Sequence, residues 1–151
     1  MRWLALILVV ACAGACGAAQ HASSMHLAIS ELRLYEGDEL VVHLLADGTL
    51  QVLEKGSNAG TQYEEWKTIG TLHPDGSLMS IQGQTVRPPE GLHFDGDALV
   101  VHDRRLALTD TGAVLLDGKP LGTDKLVHFE GVTAPAARRT ALVLIALTLN
   151  R

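Results

Sequence analysis

The chain has very little cysteine, and none where a folded domain would need it. Its two cysteines, Cys12 and Cys16, both lie before residue 17 of a 151-residue chain. No disulfide can therefore hold the rest of the chain together, and no thiol remains there as a nucleophile or a metal ligand. The remaining ~135 residues are enough for one domain that buries a hydrophobic core without cross-links.

Aromatic and basic residues are also scarce, which argues against several binding functions. Aromatic residues make up 4% of the chain, so little material is available for a platform that stacks bases or sugars. Asp and Glu number 17 against 12 Lys and Arg, a formal net charge of -5. Basic residues adjoin only in the short pairs Arg104-Arg105 and Arg138-Arg139. This pattern argues against a nucleic-acid partner.

The common motifs of nucleophile and nucleotide chemistry are absent as well. The sequence has no Gly-x-Ser-x-Gly elbow, no Walker loop and no Gly-x-Gly-x-x-Gly segment after a predicted strand. It therefore predicts no catalytic nucleophile and no cofactor. The hydrophobic share of 47% is nevertheless too high for a disordered chain.

The N-terminal segment has the three parts of an export signal. Arg2 supplies a positive start, residues 3–11 are continuously apolar, and small residues follow at 13–15 and 17–19. The apolar run is too short to span a hydrocarbon layer of about 30 Å as a stable anchor. We therefore expect residues 1–15 to be a signal peptide and not part of the folded domain.

A cysteine directly after an apolar run and small residues resembles the lipobox of bacterial lipoproteins. Residues 9–12 fit that box better by residue type, whereas residues 13–16 leave a signal of more typical length, so Cys16 is the expected lipidation site. The resemblance implies a protein of the bacterial cell envelope, held on the membrane by its lipid through a tether at 16–24. The alternative is ordinary cleavage near Ala15 or Ala19, which would give a periplasmic or secreted protein.

From residue 25 onward, short apolar runs alternate with turns that end in glycine. The glycines of these turns are Gly48, Gly76, Gly96 and Gly112. Asp-Gly between apolar runs is a strong hairpin signal, because glycine accepts a positive φ. The spacing predicts a mainly β domain over 25–132, an antiparallel hairpin meander folded as a sandwich or a partly open barrel.

The hairpins also resemble one another in sequence. Residues 72–86 align with 108–121, which makes Gly112 the equivalent of Gly76. A second turn in each unit is predicted at Lys55-Gly56 and Asp103-Arg104, among other places. The polar stretch 57–66 is expected to be an inserted loop.

The C-terminal segment, residues 133–151, predicts an apolar helix packed on the sheet. Thr133 can cap a helix that Pro135 helps to start, and the Ala- and Leu-rich residues that follow have no clear polar face. Alternating Val143, Ile145 and Leu147 would also suit a final central strand. Strands that are apolar on both faces, such as 99–101, need a cover of this kind.

Two sets of residues suggest chemistry. Asp110-Thr111-Gly112-Ala113 resembles the Asp-Thr-Gly turn of aspartic proteases, in which two carboxylates share a proton and activate water. Because Gly112 aligns with Gly76, the hairpin repeat already explains this turn, and we expect Asp110 to be an exposed turn residue. The histidines could only form a metal site if neighbouring hairpins brought them together. Besides His21 in the tether and His26 just after it, they are His43, His73, His93, His102 and His128. No His-x-His pair occurs, and we expect no metal site.

As a whole the sequence resembles uncharacterised bacterial envelope lipoproteins, a likeness that implies no activity. The expected function is a structural or binding role without catalysis, with a protein partner that the sequence does not identify. The first alternative is a hydrolase that uses Asp110 or a histidine-bound metal. The second is a small-ligand binder in the cavity of a β-barrel.

Overall fold

The computed structural model describes residues 25–122 and 124–149, and the predicted signal peptide, tether and Cys16 lie outside them. Within these residues the chain forms twelve β-strands in two antiparallel sheets, and one C-terminal helix. The mainly β hairpin fold with a C-terminal helix is thus confirmed. The two sheets do not close into a barrel.

The strands follow one another through tight turns. They are β1 (Leu32–Glu36), β2 (Glu39–Leu44), β3 (Thr49–Asn58), β4 (Thr61–Leu72), β5 (Leu78–Ser80), β6 (Thr85–Val86), β7 (His93–Asp95), β8 (Ala98–Val101), β9 (Arg104–Leu108), β10 (Val114–Leu116), β11 (Lys119–Pro120) and β12 (Val127–Glu130). The first sheet has the order β12-β1-β2-β3-β4-β5-β6, and the second has the order β11-β10-β9-β8-β7. A bridge between Ala113 and His128 connects the two sheets beside β10 and β12.

Four hairpin loops share one geometry. They span residues 45–49, 73–77, 80–84 and 109–113, and in each the glycine N–H donates to the carbonyl three residues earlier while the first residue's N–H donates to the last carbonyl. The glycines are Gly48, Gly76, Gly83 and Gly112, with φ between 83° and 90°. Such a left-handed glycine is typical of three-residue hairpin loops with a bulge. The predicted equivalence of Gly112 and Gly76 is therefore confirmed.

Gly96 does not belong to this set, although the sequence suggested that it did. It lies in a two-residue loop between the paired residues Asp95 and Ala98. Gly83, predicted only as part of a second turn, takes its place as the fourth member.

The stretch 57–66 is not a loop, and Lys55-Gly56 is not a turn. Both lie in one long hairpin, in which β3 and β4 pair from Thr49 and Thr71 out to Asn58 and Thr61. The turn is Ala59-Gly60, where both residues have positive φ. The prediction failed because this part of the hairpin is exposed, so it needs no apolar alternation to mark it as a strand.

The helix α1 (Pro135–Leu149) lies inside the core, as predicted, and the strand alternative is wrong. Residues 141–146 are all buried, and the helix packs on β8 and β9 of the second sheet. Its other contacts include the Thr140 hydroxyl, which donates to the Ala28 carbonyl at 3.0 Å. Because the helix begins at Pro135, the capping position is Ala134 and not Thr133.

Side chains from both sheets and the helix form one hydrophobic cluster. Leu50 and Val52 of β3 are buried in it, while Thr49 and Gln51, which alternate with them, are only partly buried. The largest fully buried side chains come from β1, β2, β4, β8, β9, β12 and α1, namely Leu32, Leu44, Leu72, Leu99, Leu106, Phe129 and Leu142. The helix thus supplies the cover that the doubly apolar strands require.

Candidate functional site

Asp110 lies at the exposed tip of the 109–113 loop, where a turn residue was expected. The equivalent position is Ala46 in the first loop, Pro74 in the second and Ile81 in the third. A position that accepts Ala, Pro and Ile makes no chemical demand on its side chain. The loop is instead closed by the Thr109 hydroxyl, which accepts a hydrogen bond from the Ala113 N–H at 3.0 Å.

The aspartates that shape the loops occupy the next position. Asp47 Oδ1 accepts from the Thr49 N–H at 2.9 Å, and Asp75 Oδ1 accepts from the Ser77 N–H at 2.9 Å and the Ser77 hydroxyl at 2.6 Å. These hydrogen bonds lower the pKa of both carboxyl groups, since they stabilise the charged form. The lowered pKa of each carboxyl group is therefore explained by the hydrogen bonds that the carboxylate accepts within its own loop.

The histidines are spread over the molecule. His43 and His128 lie on strands, as predicted, but His102 does not: it forms a two-residue turn with Asp103, both at positive φ. His73 begins the 73–77 loop, and the His93 ring nitrogen Nδ1 lies 2.9 Å from the Gly91 carbonyl. Among residues 25–122 and 124–149, no three or more His, Cys, Asp or Glu side chains gather as metal ligands would.

One group of polar and aromatic side chains lies on the solvent side of the first sheet. We call it the outer-face cluster; its members are Glu31, Arg33, Tyr35, His43, Trp66, His128 and Glu130. The Glu31 carboxylate lies 2.7 Å from Arg33 Nη2 and 2.9 Å from His43 Nε2. The hydrogen bond with His43 lowers the pKa of Glu31 most, and the hydrogen bond with Arg33 lowers it further. The His43 ring meets Trp66 edge-on at 6.4 Å.

At the other end of the outer-face cluster, Tyr35 and His128 stack with ring centres 5.2 Å apart. Burial raises the pKa of Tyr35, and the neighbouring Glu130 carboxylate raises it further. His128 Nδ1 is buried and has no hydrogen-bond partner in the described part of the chain. The stack thus packs β1 against β12 and leaves one buried ring nitrogen of His128 without a hydrogen bond among the described residues.

The outer half of the β3–β4 hairpin, residues 53–66, is the feature that sequence reasoning missed. We call it the arm. No third strand among residues 25–122 and 124–149 pairs with it, since β2 stops pairing with β3 at Val52 and β5 pairs with β4 only from Gly70. Its two aromatic side chains, Tyr63 and Trp66, are each 39% exposed.

Side-chain contacts hold the arm in shape. Lys55 bridges Glu64 at 2.9 Å and also contacts Glu39 of β2, while Lys67 pairs with Glu54. The Tyr63 ring covers Gly56, where a Cβ would lie 2.4 Å from the phenol. The sequence signal that could have revealed the arm is Asn-Ala-Gly between two polar runs of similar length.

The remaining large exposed hydrophobic side chains are Met79 and Ile81 at the β5–β6 hairpin, and Leu126. Ile81 is the most exposed, at 66%, with Leu126 at 47% and Met79 at 40%. None of the helices formed by the described residues is long and apolar enough to cross a membrane.

Comparison with protein-family models, with curated proteins and with solved structures gave no match to this chain. The resemblance to envelope lipoproteins therefore stays a prediction from the N-terminal residues. Function has to be argued from the chain's own surface.

Proposed function

We propose that this chain is a lipid-anchored protein of the bacterial cell envelope that binds a protein partner without catalysing a reaction. In this proposal residues 1–15 are removed as a signal peptide, Cys16 carries the lipid and residues 16–24 form the tether. Support for the address comes from the positive start, the apolar run and the small residues before Cys16.

The arm is the observation that carries the binding role. A two-stranded hairpin without a third strand or a core is marginally stable alone. This arm supplies no residue to the hydrophobic core, yet it has three internal or flanking ion pairs and an aromatic ring packed over glycine. A segment that is kept in shape but gives nothing to the core has its use outside the domain.

The chemistry of the arm suits a protein surface. Tyr and Trp are the side chains that most often anchor protein interfaces, because they bury a large area at a small cost in side-chain entropy. Tyr63 and Trp66 project from opposite faces of β4, since they are three residues apart on a strand. Both edges of the arm also carry backbone groups that a partner strand can pair with.

Labelling with a palmitate analogue tests the membrane anchor. The full precursor is expressed in a bacterium as the natural sequence, as Cys16→Ser and as Cys12→Ser. We expect label on the natural chain and on Cys12→Ser, and none on Cys16→Ser. Label lost only with Cys12→Ser would move the anchor to that residue, and label on none of the three would refute the lipoprotein assignment.

Site-specific photo-crosslinking tests the binding role. The photoreactive residue p-benzoylphenylalanine replaces Tyr63 in the arm or, as a control, Lys119 on an exposed strand of the second sheet. In intact cells we expect one discrete adduct band from position 63 and none from position 119. The same band should weaken several-fold when Trp66→Ala is added. Equal, diffuse or absent adducts at both positions would contradict a role for the arm.

A further inference from the structure

The β5–β6 hairpin carries an exposed hydrophobic tip that the fold does not require. In the three other loops of the same geometry, the position of Ile81 is held by Ala46, Pro74 and Asp110. The turn therefore accepts small, rigid or charged side chains there. Ile81 is 66% exposed, and Met79, two residues earlier in β5, is 40% exposed.

This hairpin lies beside the point where the tether would join the domain. Met25 Sδ and Pro88 Cγ would lie 2.7 Å and 3.0 Å from a Cβ on Gly76, and the Leu27 N–H donates to the Pro74 carbonyl at 2.7 Å. Gly76 precedes β5 and Pro88 follows β6, so Met25 lies at the base of the hairpin. Eight residues lie between Cys16 and Met25, so nine Cα-to-Cα steps give a reach of at most about 30 Å when extended.

Distances along the strands favour the hairpin over the arm as the part nearest the anchor. From Gly76 to Ile81 the chain advances about 17 Å, which is within the reach of the tether. The twelve residues of β4 advance about 40 Å toward the tip of the arm, which is beyond it. The hairpin can therefore touch the membrane while the tip of the arm lies farther from the anchor.

The charge distribution fits the same side of the molecule. All 17 acidic residues fall within 31–75 and 90–130, so that neither residues 1–30 nor residues 76–89 contain Asp or Glu. The surface of a bacterial membrane is anionic, and acidic side chains placed against it would be repelled. Residues 131–151 are also free of acidic side chains, but they form mainly the buried helix, so the hairpin is an acid-free part of the domain that is exposed.

From these observations we propose that Ile81 and Met79 enter the headgroup region of the bilayer to which Cys16 is anchored, with the β6 edge of the first sheet facing the membrane. The inference rests on the proposed lipid anchor. A diacylglyceryl group holds the chain on the membrane by two acyl chains, and apolar side chains that enter the bilayer add to this binding. The hairpin would also fix the orientation of the domain on the membrane.

Depth-dependent quenching tests this contact on the full lipidated protein. Once Cys12 has left with the signal peptide and the Cys16 sulfur carries the diacylglyceryl group, an introduced cysteine is the only free thiol. Ile81→Cys carries an environment-sensitive fluorophore, and Ala46→Cys, the same position of an equivalent loop, is the matched control. The protein is reconstituted in vesicles of phosphatidylethanolamine and phosphatidylglycerol that contain a spin-labelled lipid, and palmitate on Cys16 is checked in the same samples.

We expect the spin-labelled lipid to quench the label at position 81 at least about threefold more than the label at position 46. Equal quenching with palmitate present on Cys16 would overturn the hairpin contact and leave the anchor standing. Absence of palmitate would overturn the anchor and the hairpin contact together. A thiol at 81 that is shielded in cells but unquenched in vesicles would identify a protein as the occupant, and would also overturn the inference.

Discussion

Gly112 is the loop glycine on which the surrounding backbone leaves the least room. A Cβ there would lie 2.1 Å from the Phe129 carbonyl oxygen and 3.1 Å from Val132 Cγ2. Gly83 has nearly the same φ in the same kind of loop, but a Cβ there would meet nothing within 4 Å. The two glycines therefore separate the cost of left-handed backbone from the cost of a close approach.

We predict that Gly112→Ala destabilises the domain more than Gly83→Ala. Left-handed backbone alone should cost about 1–2 kcal/mol at either site. Overlap with the Phe129 carbonyl should add at least about 1 kcal/mol at Gly112. Urea denaturation of both variants measures the difference, and equal midpoints would show that the β12 backbone moves away without cost.

Asp110→Asn should change the free energy of unfolding by less than about 0.5 kcal/mol, because Asp110 is an exposed residue away from any helix cap or core contact. Gly112→Val, two residues away, should lower it clearly. An aspartic protease shares the intact fold of Asp110→Asn, but its natural chain would cleave peptides at acid pH in a pepstatin-sensitive reaction that Asp110→Asn abolishes. Cleavage assays on the natural chain and on Asp110→Asn therefore decide between the two interpretations, and urea denaturation checks the fold of the variant.

Asp75 should make the domain sensitive to acid. Its pKa in the folded protein lies below the ordinary value of 3.8, because Ser77 donates two hydrogen bonds to the carboxylate. A lowered folded pKa stabilises the fold above the unfolded pKa, and this contribution disappears as pH falls through the folded value. As the pH is lowered from about 5 to about 2, the melting temperature should fall less steeply for Asp75→Asn than for the natural chain. The same fall in melting temperature for both proteins would contradict this role of Asp75.

At the scale of the element, the sequence predicted hairpins best where a core-facing strand met a glycine turn. Gly48, Gly76 and Gly112 were found because apolar residues on either side fix the register and glycine accepts positive φ. The arm was not found, because register there is set by pairing between exposed polar strands and by ion pairs such as Lys55–Glu64. The outer-face cluster was missed for a related reason: His43, Trp66 and Tyr35 come together only through strand order, which local pattern does not give.

Shortening the arm should leave the domain folded. Replacement of residues 55–64 by Asn-Gly joins Glu54 to Glu65, which are already paired across the hairpin. No residue of the hydrophobic core is removed, and the lost pair between Lys55 and Glu39 is worth about 1 kcal/mol or less. Circular dichroism and urea denaturation check this. An unfolded product would mean that the arm is needed for folding and would weaken its assignment as a binding element.

Truncating a buried side chain of α1, in contrast to removing the arm, should strongly lower the stability of the domain. Leu142 is fully buried at the centre of α1, so Leu142→Ala should cost about 2–5 kcal/mol. Thr148→Ala, on an exposed residue of the same helix, should change stability by less than about 0.5 kcal/mol. Thermal unfolding of both variants measures this. Similar losses would mean that the helix is not the cover of the second sheet.

At the scale of the whole molecule, two parts of the surface have different roles in our proposals. The β5–β6 hairpin lies within the acid-free residues 76–89 and faces the membrane in our proposal. The arm extends from β3 and β4 with exposed Tyr63 and Trp66, and is proposed to meet a protein. The fold class could be predicted from hairpin spacing, but the partner could not, because an exposed binding surface has no periodic sequence pattern.

Mass spectrometry of the N-terminal peptide tests the central claim, a lipid anchor on Cys16, most directly. The protein is expressed as the full precursor in a bacterium, extracted from the membrane fraction with detergent, and digested. We predict that the mature chain begins at Cys16 and that its first peptide carries the added mass of a diacylglyceryl group. A mature chain that begins near Gln20, unmodified and recovered from the soluble fraction, would contradict the anchor and leave an exported protein without one.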